Sequence, residues 1–120
     1  MIADFHGVWG WVAVALCGAA GLWGTLLAVL KRTPGRAFAY GTAIAITAVL
    51  IQVGAGLVLL GQGFSPGGFH VFYGMVILFT FSFAYVYRAQ LGRRPALSWG
   101  LLLLFVMGLG IRAITTFGGS

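Results

Sequence analysis

The chain alternates four long runs of apolar residues with three short segments that carry most of its charged and turn-forming residues. The runs lie near residues 7–30, 37–61, 69–91 and 96–116. A helix needs about 20 consecutive, mostly apolar residues to cross the hydrocarbon core of a bilayer. Because each run is that long, the pattern predicts an all-α protein with four transmembrane helices and a single membrane domain over residues 1–120.

The connecting segments are short and contain the turn-forming residues proline and glycine; they read "KRTPGR", "GQGFSPGG" and "GRRP". Short connections force helices that are neighbours in sequence to lie antiparallel. We therefore expect an up-down-up-down bundle with the first and third helices on a diagonal. Composition agrees, since 61% of the residues are hydrophobic and 7% are charged, whereas soluble domains have about 25% charged residues.

Basic residues concentrate in and beside the first and third connecting segments, while the middle segment carries no charge. They are Lys31, Arg32, Arg36, Arg88, Arg93 and Arg94. Cytoplasmic loops collect Lys and Arg, so these segments are predicted to lie inside and both termini outside. The formal charge of +6 is therefore interpreted as the topology signal of a multi-pass protein of a bacterial plasma membrane. It does not indicate a nucleic-acid-binding surface.

The first run is expected to stay in the membrane with its N-terminus outside. It is too long for the apolar region of a cleavable signal peptide, and Asp4 precedes it where such a peptide has basic residues. Cys17, the only cysteine of the sequence, lies in the middle of this run. It cannot form an intramolecular disulfide, which excludes the membrane thiol oxidoreductases that use paired cysteines. We interpret it as a small apolar core residue.

Small residues recur at every third position of the first helix, at Ala15, Gly18, Gly21 and Gly24. Such stripes let transmembrane helices approach closely where lipid offers no hydrophobic drive for association. We interpret the stripe as a helix-packing surface. Space for a flat ligand is the alternative.

Each helix is predicted to carry one strongly polar residue near its outer end. At about 1.5 Å per residue, Gln52 and Arg112 lie roughly 24–26 Å above the inner turns. His6 and His70 reach the outer boundary, and both stand in the same local frame, "FHGVWG" and "FHVFYG". Structural interpretations exist for all four: interfacial or helix-starting histidines, an arginine that snorkels to the surface, and a glutamine that bonds between helices.

Two histidines at matching height on diagonal helices also suit the two axial positions of a haem iron. On this hypothesis His6 and His70 ligate haem b. Gly10 and Gly74, one turn deeper on the same helix faces, would leave room for the ring. The remaining candidates are Trp9 and Tyr73 for packing against the ring, Arg112 for a propionate, and Gln52 for a propionate or a ligand histidine.

The stretches "FHGVWGWVAVALCGAAGLWG", "IQVGAGLVLL" and "FHVFYGMVILF" resemble one half of a haem A synthase over roughly residues 5–90. The resemblance implies haem ligation by His6 and His70, with Gln52 and Gly56 in a Gln-x-x-x-Gly stretch. Because the full enzyme has two such halves, it also implies a homo-oligomer or a place in a larger membrane complex. The family carries an acid close to a haem-ligating histidine, whereas the only acid here, Asp4, is expected outside the first helix.

A second likeness concerns "FHVFYG" and "GIRAITTFGG", which are similar to segments of small four-span membrane proteins of high-GC, actinobacteria-like bacteria. This likeness covers the size of the chain as well as the two segments. It implies a four-span membrane protein and suggests no biochemical activity.

Two functions follow from these observations. The first is a b-type haem-binding membrane protein, either an electron carrier or a half-size relative of haem A synthase. The second is a non-catalytic accessory or scaffold subunit of a respiratory or transport complex, with no cofactor of its own. A small transporter or channel fits less well, since the apolar runs contain no acid to couple ions. The sequence offers no carboxylate pair, Cys/His cluster or phosphate-binding loop, so any enzymatic reaction would depend on a cofactor.

Overall fold

The computed structural model describes residues 2–117 and is helical almost throughout. Its four long helices are α1 (Ile2–Val29), α2 (Arg36–Gly61), α3 (Gly68–Val86) and α5 (Pro95–Thr115), and the single-turn helix α4 (Arg88–Leu91) precedes α5. All four long helices are long and apolar enough to cross a membrane, and no strand occurs among the described residues. The predicted all-α, multi-pass membrane architecture is confirmed.

The first helix begins earlier than its apolar run suggests. α1 starts at Ile2 rather than near residue 7, so Asp4 and His6 both lie within its first two turns. Asp4, expected outside the first helix, is therefore inside it. An acid in the first turn interacts favourably with the positive end of the helix dipole, which accounts for a helix that extends through a polar residue.

The third predicted helix, 69–91, is interrupted at Tyr87, where φ is −100° and ψ is 22°. Arg88 donates from Nη1 to the main-chain oxygen of Tyr85 at 2.7 Å. Its guanidinium carbon lies 4.3 Å from the centroid of the Tyr85 ring. The Tyr85 carbonyl also accepts a backbone N–H at the helix end, so the arginine adds a side-chain hydrogen bond to the C-terminus of α3. The chain continues as the separate turn α4.

The central pair of the bundle is formed by α1 and α5. α1 packs against α2 on one side and against α5 on the other, and α3 packs against α5. α1 and α3 consequently lie on a diagonal, as the short connections predict. Within the described residues α2 and α3 do not pack along their lengths, although residues 62–67 join them. The bundle is thus closed on three sides and open on the fourth.

Glycines bring the backbones of α1 and α5 together near the basic end. A Cβ atom added at Gly24 would lie 2.7 Å from the carbonyl oxygen of Ala96. One added at Gly100 would lie 2.8 Å from the main-chain nitrogen of Thr25. Because both neighbours are backbone atoms, no side-chain rotation could relieve the overlap. This seam requires glycine for its close approach.

The small-residue stripe predicted on α1 faces this seam at three of its four positions. Gly18, Gly21 and Gly24 are buried, whereas Ala15 is exposed. Steps of three residues fall short of a full turn of about 3.6 residues, so such a stripe winds around the helix. Its first member therefore rotates away from α5. The helix-packing interpretation of the three glycines is confirmed.

Small and medium-sized side chains fill the core, while large apolar side chains face outward. Cys17, Ala45 and Leu103 are fully buried, so Cys17 does occupy the core as an apolar residue. Phe79 and Val29, by contrast, expose 72% and 70% of their surfaces. Such a contiguous apolar exterior would be a liability in water. It is suited to contact with lipid.

Candidate functional site

The two histidines of the chain meet at the outer end of the bundle. Their ring centroids lie 6.0 Å apart, and the ring planes are inclined by 75°. His6 stands on α1 and His70 on α3, which occupy opposite corners of the bundle. The antiparallel arrangement brings the start of both helices to the same height, as the sequence predicts.

His70 is held by the backbone of α5. Its Nδ1 lies 2.7 Å from the carbonyl oxygen of Ala113. A carbonyl can only accept a hydrogen bond, so Nδ1 carries the proton and donates it. In the neutral imidazole this leaves Nε2 with its lone pair, which is the form that binds a metal. The ring of Phe117 packs edge-on at 5.3 Å and further restricts the imidazole.

His6 is held from α2. Its main-chain oxygen accepts a hydrogen bond from Gln52 Nε2 at 2.7 Å. The Cε1 corner of the ring contacts Gly56, where an added Cβ would be 3.1 Å from His6 Cε1. His6 Nδ1 and Gln52 Oε1 are buried and have no hydrogen-bond partner among residues 2–117. Buried polar atoms of folded proteins are rarely left in this state, so both atoms indicate a ligand or water at this place.

A cavity of about 530 Å³ opens beside the two imidazoles and Gln52. Its wall is formed by α1, α2, α3 and α5 together with the segment between α2 and α3. Further along the helices the wall is apolar and buried, and it includes Cys17, Val49, Ile77 and Val106. Small-molecule sites typically enclose about 300–1,000 Å³ and combine apolar walls with a few placed polar groups. The cavity has this character.

Five residues proposed from the sequence line the cavity: His6, Gly10, Gln52, His70 and Gly74. The two glycines differ in what they accommodate. Around Gly74 an added Cβ would meet nothing within 4 Å, so this position does leave open space. At Gly10 an added Cβ would lie 2.9 Å from Gln52 Nε2. Gly10 therefore makes room for the glutamine amide, which takes the space that the sequence assigned to a ring.

Trp9, Tyr73 and Arg112 lie outside the cavity, contrary to the roles expected of them. Trp9 donates from Nε1 to the carbonyl oxygen of Ala48 at 2.8 Å and so joins α1 to α2. The exposed Arg112 instead places its guanidinium carbon 5.6 Å from the centroid of the Tyr73 ring. Successive helix positions differ by about 100°, so with Ala113 buried, its neighbour Arg112 faces away. No cation lines the cavity within the described residues.

Several residues of the cavity wall have no site role in the sequence pattern. The aromatic ones are Trp11, Phe64 and Phe117. Phe64 belongs to the segment between α2 and α3, and Phe117 follows α5, so no helical period pointed to either. Gly56, which the resemblance pairs with Gln52 in the Gln-x-x-x-Gly stretch, also lines the cavity, since it lies four residues after Gln52 and hence on the same face of α2.

The donor set limits what kind of metal the site could hold. Residues 2–117 contain no group of three or more His, Cys, Asp or Glu side chains that could bind a metal ion. Two imidazoles can fill two coordination positions, so they suit a metal whose other positions are already occupied, as in a porphyrin. No family profile, curated protein or solved structure matches the chain.

Proposed function

We propose that this protein binds haem b between α1 and α3, with His6 and His70 as the axial ligands. The observation that carries the proposal is the pair of imidazoles, 6.0 Å apart, at the edge of a mainly apolar cavity. Two imidazoles that bind one metal from opposite sides, with metal–nitrogen distances of about 2.0 Å, have ring centroids about 6 Å apart. The observed separation agrees with that requirement.

The residues around the histidines fit this role. The Ala113 carbonyl selects the His70 tautomer whose Nε2 is free, an arrangement typical of metal-binding histidines. Gln52 fixes the main chain of His6 through its amide, and Gly74 leaves space beside the imidazoles. The apolar wall suits contact with a porphyrin ring. A haem held in this way supplies reversible one-electron transfer.

The proposal extends to an electron carrier or a half-size relative of haem A synthase. Because residues 5–90 resemble one half of that enzyme, we expect the protein to act as a homo-oligomer or with another membrane subunit. Residues 2–117 supply a single acid, Asp4, which is exposed. Electron transfer needs no such group, so we favour the carrier over an oxygenation reaction.

The spectrum of the purified protein tests the proposal. We expect a Soret band and a sharp reduced α-band from haem-replete membranes, and the loss of both in the His6→Ala, His70→Ala double variant. Phe79→Ala is the matched control, since Phe79 lies on the same helix as His70 but faces outward with 72% of its surface exposed. Imidazole added to a His70→Gly variant should restore the bands, because the free ligand can occupy the vacated position.

A colourless wild-type protein from haem-replete cells would overturn the haem proposal. That outcome would favour the accessory subunit, whose histidines serve only to connect helices. Bands that persist in the double variant would show that haem is held elsewhere.

A further inference from the structure

Three of the four seams between neighbouring helices are fastened near the site. Trp9 bonds α1 to α2 through the Ala48 carbonyl. His70 bonds α3 to α5 through the Ala113 carbonyl. α1 and α5 interlock where an added Cβ at Gly110 would lie 2.8 Å from Val14 Cγ2. At each of these three seams the packed helices leave no passage for a ligand.

At the fourth seam, in the described part of the chain, α2 and α3 do not pack closely against each other. Leu57 of α2 and Met75 of α3 each line the cavity and expose 53% and 56% of their surfaces. A side chain that contacts both the cavity and the surroundings marks the rim of an opening. Both residues lie one to two turns below the outer ends of their helices, at the depth of lipid chains.

The outer end of the cavity is bridged by the segment that connects α2 and α3. Phe64, Ser65 and Pro66 of this segment contribute to the wall. Gly74 borders the gap and leaves its side of the cavity without a side chain. The apolar rim formed by Leu57 and Met75 therefore faces the bilayer between the two helices.

We infer that the site is loaded sideways from the membrane, through the gap between α2 and α3, by a flat ligand whose ring is apolar and lies in the bilayer. This inference rests on the proposed haem function, since haem has such a ring and carries its two propionates on one edge only. Leu57 and Met75 form the two sides of the opening. The ligand passes between them to reach His6 and His70 without crossing the aqueous surface.

Bridging the gap tests the inference. A Leu57→Cys, Met75→Cys protein in a Cys17→Ala background is reconstituted without haem in liposomes and treated with a short bismaleimide. Haem dissolved in a second liposome population is then offered, and the Soret absorbance is followed over time. We expect loss of loading in the bridged fraction, whose extent is measured by mass spectrometry.

Three controls separate blockage from damage. Each single-cysteine variant receives the same reagent but cannot be bridged, and should load like the untreated protein. The double variant treated with N-ethylmaleimide carries the same added bulk without a bridge, and should also load. Protein that is loaded first and bridged afterwards should keep its haem when apomyoglobin is added as a scavenger, which shows that the bridge does not distort the site.

The outcomes distinguish the two proposals. If the unbridged protein takes up no haem, the proposed function fails and the access route fails with it. If bridged and unbridged proteins load at the same rate, haem binding stands and the route between α2 and α3 is wrong. If the bridge expels haem that is already bound, the gap belongs to the binding site and is not a route to it.

Discussion

Replacing Gly100 by alanine should force α1 and α5 apart. The added Cβ would lie 2.8 Å from Thr25 N, 3.0 Å from Gly24 C and 3.1 Å from Gly21 O. Non-bonded heavy atoms attract each other best at about 3.5–4.0 Å and repel each other at shorter distances. The added Cβ would therefore overlap three backbone atoms of α1 at once. Backbone atoms cannot rotate away, and the two helices must separate along their tightest stretch.

The magnitude follows from two opposing effects. Inserting a methyl group into a packed interior costs about 1–3 kcal/mol, and this site lies at the upper end because the neighbours are rigid. Alanine recovers up to about 1 kcal/mol of helix propensity over glycine. We expect Gly100→Ala to lower the free energy of unfolding by about 2 kcal/mol. Gly108→Ala, where the added Cβ meets nothing within 4 Å, should be neutral or slightly stabilising.

Unfolding by SDS in mixed micelles, followed by circular dichroism and tryptophan fluorescence, measures both variants against wild type. The decisive quantity is the difference in unfolding free energy between the two alanine variants, because both gain the same helix propensity on the same helix. Equal stability of Gly100→Ala and Gly108→Ala would refute the close approach of α1 and α5.

Three further predictions concern the site and its support. Gly74→Leu should abolish haem incorporation without reducing the amount of protein in the membrane, since the leucine fills open space beside the imidazoles. Its control is Gly54→Leu, which should bind haem normally, because a side chain at Gly54 meets nothing within 4 Å and lies off the cavity wall. Gly56→Ala should broaden or shift the haem bands, because its Cβ displaces His6 by a few tenths of an ångström, and unchanged bands would argue against His6 as a ligand. Trp9→Phe should cost about 1 kcal/mol in the same SDS assay through the lost interhelical hydrogen bond, and no loss would show that this bond is not formed in the membrane.

The helices, their antiparallel order and the shared height of the histidines could all be read from local patterns. Transmembrane length is a property of one run of residues, and short connections leave neighbours no arrangement but antiparallel. Height along a helix is a count of residues at a constant rise. His6 and His70 could therefore be placed at the same level from their positions in the chain alone.

The rotation of each helix about its axis depends on its neighbours, and here the tertiary structure was needed. Arg112 and Tyr73 lie at the right height but face away from the cavity. The close packing of α1 on α5 sets the rotation of α5, and the hydrogen bond from His70 to Ala113 sets that of α3. Apolar residues surround every helix of a membrane protein, so the hydrophobic pattern carries little information about which face is buried. The gap between α2 and α3 arises in the same way. It results from the contacts that α1 and α5 make with each other, and no single segment of the chain encodes it.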